Sequence, residues 1–276
     1  MRVHHLNCAS FCPFGGRLVD GSGRVLRAAQ VVTHTLLVET GEGLVLVDTG
    51  LGLQDVAHPH DRLGGFSLRL LRPSLSQAET AVRQVEWLGF RREDVRHVVL
   101  THLDLDHAGG LPDFPAATVH VYGPELHAAT IRATARERER YRPAHWAHGP
   151  RWRTYEVHGD RWFGFEAVQA LEGLPPEILL VPLPGHTRGH CGVAVRSGAG
   201  WILHAGDAYF FHGEVHEAAR RCPPALSLFQ RLVEIDPVAR RHNQDRLRQL
   251  VRHHAGEVRV FSAHDPAELA WAQAAD

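Results

Sequence analysis

Apolar and β-branched residues fall in short runs along this chain, and most runs close on glycine, proline or an acidic residue. VVTHTLLVET and GLVLVDTG, parted by the dipeptide GE, predict a hairpin across residues 31–50. The loop LGLQDVAHPHDRLGGF follows. SLSQAETAVRQVEWLGF, opening on serine with a glutamate close behind, has the apolar spacing of a helix ending near Gly89. VRHVVL (95–100) and ATVHVYG (117–123) read as strands, and GPELHAATIRATARERERYR (123–142) as a charged amphipathic helix.

The second half repeats the theme. WFGFEAVQA (162–170) and EILLVPLPG (177–185) are strand-like and lead into HTRGHCGVAVRSGAGWILHAGDAYF, where RSGAG marks another hairpin turn. A helical stretch lies within residues 225–254, and EVRVFSAHD ends the chain's last strand at His264. Strands that end in polar loops, with helices late in each half, predict a layered α/β protein. It has two sheets, flanking helices and functional loops gathered at one edge. No linker or low-complexity tract interrupts residues 1–276, so one domain is the economical reading.

Composition changes this picture little. With 44% hydrophobic and 22% charged residues and a net charge of -1, the chain offers no electrostatic invitation to nucleic acid or an anionic membrane. A small-molecule substrate is the expected partner, and a homodimer is compatible with this surface. No signal-peptide core or long apolar run is visible, which reads as cytoplasmic. Cys8, Cys12, Cys191 and Cys222 are too scattered for a disulfide framework and read as thiols rather than ligands. All the basic residues other than histidine are arginine, and with 22 histidines any site must be picked out by spacing.

One segment does stand out. VVLTHLDLDHAGGLPDF (98–114) packs His102, Asp104, Asp106 and His107 into six positions after a β-branched run. In an extended stretch residues 102, 104 and 106 project to one side and Leu103 and Leu105 to the other, before the glycines let the chain turn. His186, Asp207 and His264 each sit just past an apolar strand, after small residues. Imidazoles and carboxylates brought from several strand ends fit a two-metal site, in which ions about 3.5–4 Å apart share a water that deprotonates near neutral pH.

THLDLDHAGG, PGHTRGH, GDAYF, AHD and the earlier LVDTG together resemble the metallo-β-lactamase superfamily of metal-dependent hydrolases, over nearly the whole chain. The resemblance implies a four-layer αβ/βα sandwich with two divalent metal ions at one edge. One would sit on His102, position 104 and His186, the other on Asp106, His107 and His264. Asp207 would bridge them and Asp48 would orient a ligand. The departure is Asp104, where the usual motif carries histidine. An extra carboxylate lowers the charge of the centre and makes it harder, which tilts the choice from Zn towards Mn or Fe. The order of segments is closest to the quorum-quenching lactonases. That implies hydrolysis of an ester-type bond, lactone or related carboxylic ester, by a bridging hydroxide. Asp106 would shuttle the proton, and a tyrosine after the bridging Asp, here Tyr209, would assist at the substrate oxygen. Segments 58–66 and 141–152 are the expected pocket walls, and His190 has ligand-like neighbours. Phosphodiester or thioester hydrolysis on the same centre, and a non-catalytic ligand sensor of the same fold, are the alternatives.

Overall fold

In the computed structural model, which describes residues 1–198 and 200–275, twelve strands form two six-stranded sheets. The first runs in sequence order: β1 (Arg2–Phe11), β2 (Val31–Thr40), β3 (Gly43–Val47), β4 (Val95–Val99), β5 (Thr118–Tyr122) and β6 (Arg151–Tyr155). The second comprises β7 (Asp160–Trp162), β8 (Phe165–Ala170), β9 (Ile178–Pro182), β10 (Cys191–Ser197), β11 (Gly200–His204) and β12 (Val258–Phe261), with β12 and β7 at its edges. Both are mixed. Pairs up to β3 are antiparallel and β3 to β6 are parallel; the second sheet is antiparallel except for β11 with β12.

Alternation within single strands explains the layering. In β2, Leu36 and Val38 enter the core between the sheets while Leu37 enters the core under the flanking helices. In β3, Val45 and Val47 face inward, and Leu44 and Leu46 face the helices. In β10, Val193 and Val195 join the central core, and Ala194 joins the outer core beneath the helix Pro237–His254. Each sheet therefore buries both faces, which requires strands apolar at nearly every position. Each fully buried Val, Leu or Ile contributes about 1.5–3 kcal/mol. The result is the four-layer αβ/βα sandwich.

The 31–50 hairpin forms through β2 and β3, and the second hairpin through β10 and β11, although Ala199 of its turn lies outside the described residues. Several elements differ from the pattern-based reading. The helix expected over SLSQAETAVRQVEWLGF begins only at Ala81, after Thr80, because a 3₁₀ turn occupies Gln77–Glu79, and the stretch read as a loop before it holds the short helices Leu53–Ala57 and Pro59–Leu63. The long charged helix breaks at Arg132, which adopts φ 46; the chain restarts at Thr134, whose hydroxyl accepts from the Glu137 amide at 3.1 Å. The strand-like run 162–170 is itself a hairpin, turning at Phe163 and Gly164. The stretch 225–254 is two helices, Pro224–Val233 and Pro237–His254, the second capped by Asp236. Among the described residues no helix is long and apolar enough to cross a membrane.

Candidate metal centre

Every side chain singled out by spacing, Tyr209 excepted, arrives at one edge of the sandwich. It does so because strands of both sheets end there. β3 delivers Asp48, β4 delivers Thr101 and His102, β9 leads to His186, β11 to Asp207 and β12 to His264. Extension stops at Asp104, which corrects the alternating reading across 102–107. Asp104 instead precedes a short helix, Leu105–Ala108, that lifts Asp106 and His107 onto the same cluster. Leu103 still points into the core under the helices, and Leu105 packs beside Leu51 and Leu63.

Asp207 organises the group. Its Oδ2 lies 3.3 Å from His186 Nε2 and 3.7 Å from His102 Nε2, its Oδ1 lies 3.3 Å from His107 Nε2, and His264 Nε2 stands 3.0 Å from Oδ1 and 3.1 Å from Oδ2, to which it is hydrogen-bonded. Asp106 is 3.7 Å from His264 and 4.0 Å from His107. His102, His186 and Asp207 offer ligand atoms all within 4.8 Å of one another, and so do Asp106, His107 and His264. Nε2 of His102, Nε2 of His107 and Oδ1 of Asp207 are buried without a hydrogen-bond partner. Orphaned nitrogen and oxygen atoms that converge in this way fit divalent cations, the charge that repays their desolvation.

The opposite ring nitrogens are held from behind. His107 Nδ1 donates to Asp48 at 2.8 Å, His264 Nδ1 to the Val32 carbonyl at 2.8 Å, and His102 Nδ1 meets the Thr101 hydroxyl at 3.0 Å. Such partners fix the tautomer that leaves Nε2 free. Asp48, at φ 59, also accepts from the Thr101 amide and hydroxyl, which ties β3 to β4. His190 is not part of the converging set: its Nε2 accepts the Asp207 backbone N–H at 2.8 Å and its Nδ1 donates to the Leu183 carbonyl.

Charge sets the protonation states. Burial alone would raise the Asp207 carboxyl, but the surrounding imidazoles, His264 first, hold it well below the usual carboxylate range. Burial would lower His107 and His264, yet Asp207 beside both pushes them up. His186 falls to about 4 because burial and the Arg140 guanidinium both disfavour its cation. Asp104 turns Oδ2 towards His186 Nε2 (3.0 Å) and His102 Nε2 (3.4 Å), and Oδ1 towards Arg140 Nε (3.2 Å). Against the effect of burial, Arg140 and these histidines hold it well below the ordinary value.

A cavity of about 710 Å³ opens onto the cluster. Asp104, Asp106, Asp207, His186, His264 and Arg140 occupy its polar end, and Phe11, Phe14, Phe66, Leu70, Phe229 and Leu232 line much of the remainder. Of the two expected wall segments, 58–66 contributes Phe66 and 141–152 does not line this cavity. His145 of the latter is drawn inward to Asp55 (3.2 Å), which also pairs with Arg62. Tyr209 is a further correction. Its hydroxyl donates to Glu268 at 2.8 Å inside the outer core, and the next residue, Phe210, takes the cavity position, stacked on His264.

Two positioning groups escaped the sequence reading. Arg140 sits in a run of alternating Glu and Arg where no spacing marks it. Glu125 is fully buried and accepts from Leu103 N–H (2.9 Å), the Thr187 hydroxyl (2.6 Å) and Gly189 N–H (3.1 Å), joining the loops that carry His102 and His186. A lone acidic residue opening a helix gave no hint of this.

Fold and donor set fit a metal-dependent hydrolase with a candidate centre at the sheet edges. The profile of the metallo-beta-lactamase superfamily matches residues 29–256, and the chain belongs to that superfamily. Over 266 residues it is 44% identical to a probable metallo-hydrolase of Mycobacterium tuberculosis, covering 96% of this chain and 81% of that one. An N-acyl homoserine lactonase of Bacillus cereus is 28% identical over 204 residues, 72% of this chain and 74% of its own. Among solved structures, Bacillus thuringiensis AiiA with N-decanoyl-L-homoserine at its active site superposes with a TM-score of 0.70 at 21% identity, covering 96% and 94% of the two chains.

Proposed function

We propose that this protein uses a dinuclear centre to hydrolyse an ester-type bond, a lactone or related carboxylic ester, in a substrate with an apolar acyl group. The observation that carries the reading is that Asp207 stands between two sets of imidazoles: Oδ2 faces His102 and His186, Oδ1 faces His107, and His264 Nε2 lies 3.0 Å from Oδ1 and 3.1 Å from Oδ2. Asp207 would bridge, His102 and His186 with Asp104 would hold one divalent ion, and Asp106, His107 and His264 the other. Bound there, such ions supply a nucleophile from water at neutral pH and polarise a carbonyl. Zinc suits the imidazole-rich set, and the lactonase AidC, a structural neighbour at TM-score 0.62 and 16% identity, is described as a dizinc enzyme.

The chain's own residues do the rest. Asp106 reaches the cavity with its carboxylate partly accessible, placed to take a proton and return it to the leaving oxygen. Phe210 covers His264 and shields that side from solvent. The apolar walls favour an acyl chain over a phosphodiester, and Arg140, the cation nearest the cluster, is committed to Asp104 and to backbone carbonyls rather than free for phosphate. Similarity to N-acyl homoserine lactonases supports the lactone choice. The test is turnover of a panel of acyl lactones, aliphatic esters, thioesters and phosphodiesters by metal-loaded protein, with Asp207→Ala as control. We expect lactones and esters to turn over, longer acyl chains better, and the variant to be inactive with less than half the metal. Stoichiometric binding without turnover of any panel member would sink the catalytic reading.

A further inference from the structure

Arg140 closes the helix Ala135–Arg140, and its side chain is only 8% exposed. Its Nε faces Asp104 Oδ1 at 3.2 Å, one terminal nitrogen donates to the His186 carbonyl at 2.8 Å, and the other to the Val233 carbonyl. Three fixed partners leave the guanidinium no freedom to swing away. The other two carboxylates of the cluster, Asp106 and Asp207, pair only with histidines among the described residues. Among the described residues, the one buried guanidinium at the cluster thus stands beside the carboxylate that departs from the family's usual ligand pattern.

We propose that Arg140 is a specificity-determining residue that sets which metal the Asp104 half of the centre prefers, an inference that rests on reading the cluster as a metal site. An unopposed carboxylate adds negative charge, and with both oxygens free it can bind a cation through two atoms. That raises the coordination number and favours Mn or Fe over four-coordinate zinc. Arg140 opposes both consequences. Its charge offsets that of Asp104, and its Nε draws Oδ1 to its own side at 3.2 Å, an ion pair without hydrogen-bond geometry, while Oδ2 faces His102 and His186. Asp104 with Arg140 then turns one oxygen to the histidines at no net charge, which is close to what an imidazole nitrogen would present. The tilt towards Mn or Fe expected from Asp104 alone is thereby opposed, and zinc is retained. Arginine suits the task because it stays protonated at any working pH and its planar fork can serve several acceptors at once.

The experiment is a charge comparison combined with a double-mutant cycle, read by elemental analysis of protein equilibrated with equal zinc and manganese. Melting curves of the metal-free proteins establish that each variant folds. Arg140→Gln keeps an amide donor for the backbone carbonyls but loses the charge, whereas Arg140→Lys keeps the charge. We expect the zinc-to-manganese ratio to fall about tenfold in Arg140→Gln, a factor equivalent to about 1.4 kcal/mol of relative affinity, and to stay within about twofold of the parent in Arg140→Lys. Asp104→His alone should lose metal, because Arg140 then opposes a cation with nothing to neutralise it. Adding Arg140→Gln to Asp104→His should restore the metal content. Equal shifts in the Gln and Lys variants would assign Arg140 a purely structural role and overturn the proposal, as would additive effects in the two backgrounds. Metal-free parent protein would instead overturn the reading of the cluster as a metal centre.

Discussion

At the scale of single residues, the centre depends on atoms that face away from it. Asp48 has no place among the converging atoms, yet it accepts from His107 Nδ1 and from two groups of Thr101. Asp48→Asn should weaken metal binding by about 10–100-fold while leaving the fold intact, because the imidazole loses the anion that fixes its tautomer. Competition against a chelating dye, alongside circular dichroism, checks both parts. An unchanged affinity would reduce Asp48 to a tie between β3 and β4. Residue types in the HxDxDH block and the later His186, Asp207 and His264 were legible from sequence because they combine ligand chemistry with strand ends. Tyr209 shows where that logic stops: two positions after Asp207 places a side chain in the outer core, whereas three places Phe210 over the cluster. A shift of one position on a tight loop reverses the direction of a side chain, and no periodicity announces it.

At the scale of elements, the loops are locked by close backbone contact. Gly185, at φ +139, precedes His186, and a Cβ there would stand 2.3 Å from the Arg240 backbone nitrogen. Its carbonyl also accepts from the Ile235 and Asp236 amides, docking the loop on the start of the helix Pro237–His254. Gly185→Ala should therefore cost about 3 kcal/mol and displace His186. Denaturant unfolding measures the first effect, and metal stoichiometry falling to about one per chain measures the second. Glu125 joins the same loop to Leu103, with three donors on one buried carboxylate. Glu125→Ala strands those donors and should destabilise by roughly 3 kcal/mol or more, while Glu125→Gln, which still accepts through one oxygen, should recover part of the loss. If both variants match the parent in thermal unfolding, the carboxylate is not the tie described. Helix breaks at Arg132 and between Glu234 and Pro237 were harder to foresee than the strands. Apolar runs reveal burial, whereas left-handed residues and cap exchange depend on what each turn packs against.

At the scale of the whole molecule, stability should depend on pH in a way traceable to Asp113. This carboxyl accepts from the Leu53 amide at 2.9 Å near Asp55, and burial foremost pushes it up from 3.8 to about 6. The folded protein thus holds this proton more tightly than the unfolded chain does. The associated stability is complete below about pH 4, is lost as pH rises through about 6, and amounts to at most about 3 kcal/mol. Asp113→Asn keeps an acceptor for Leu53 and removes the buried charge. Its melting temperature should exceed the parent's at pH 8, with the gap closing as pH falls towards 4. A constant gap would mean that Asp113 does not titrate in this window. Chelation should also lower the melting temperature, since ions bound only by the folded state stabilise it by mass action, whereas Asp207→Ala should show little response to chelator.

Short apolar runs, the strand-ending turns and the clustered His and Asp residues were enough by themselves to determine a layered α/β protein with ligand-type side chains at its strand ends, because burial and donor chemistry are properties of residue types in order. The tertiary structure alone decided how the imidazoles are arranged about the two oxygens of Asp207, that Arg140 rather than solvent meets Asp104, that Glu125 joins two loops, and that the cavity walls come from segments 11–19, 66–71, 136–140 and 225–233. Those facts are distances between segments far apart in the chain. They are fixed when the two sheets close on each other, and no local pattern encodes them.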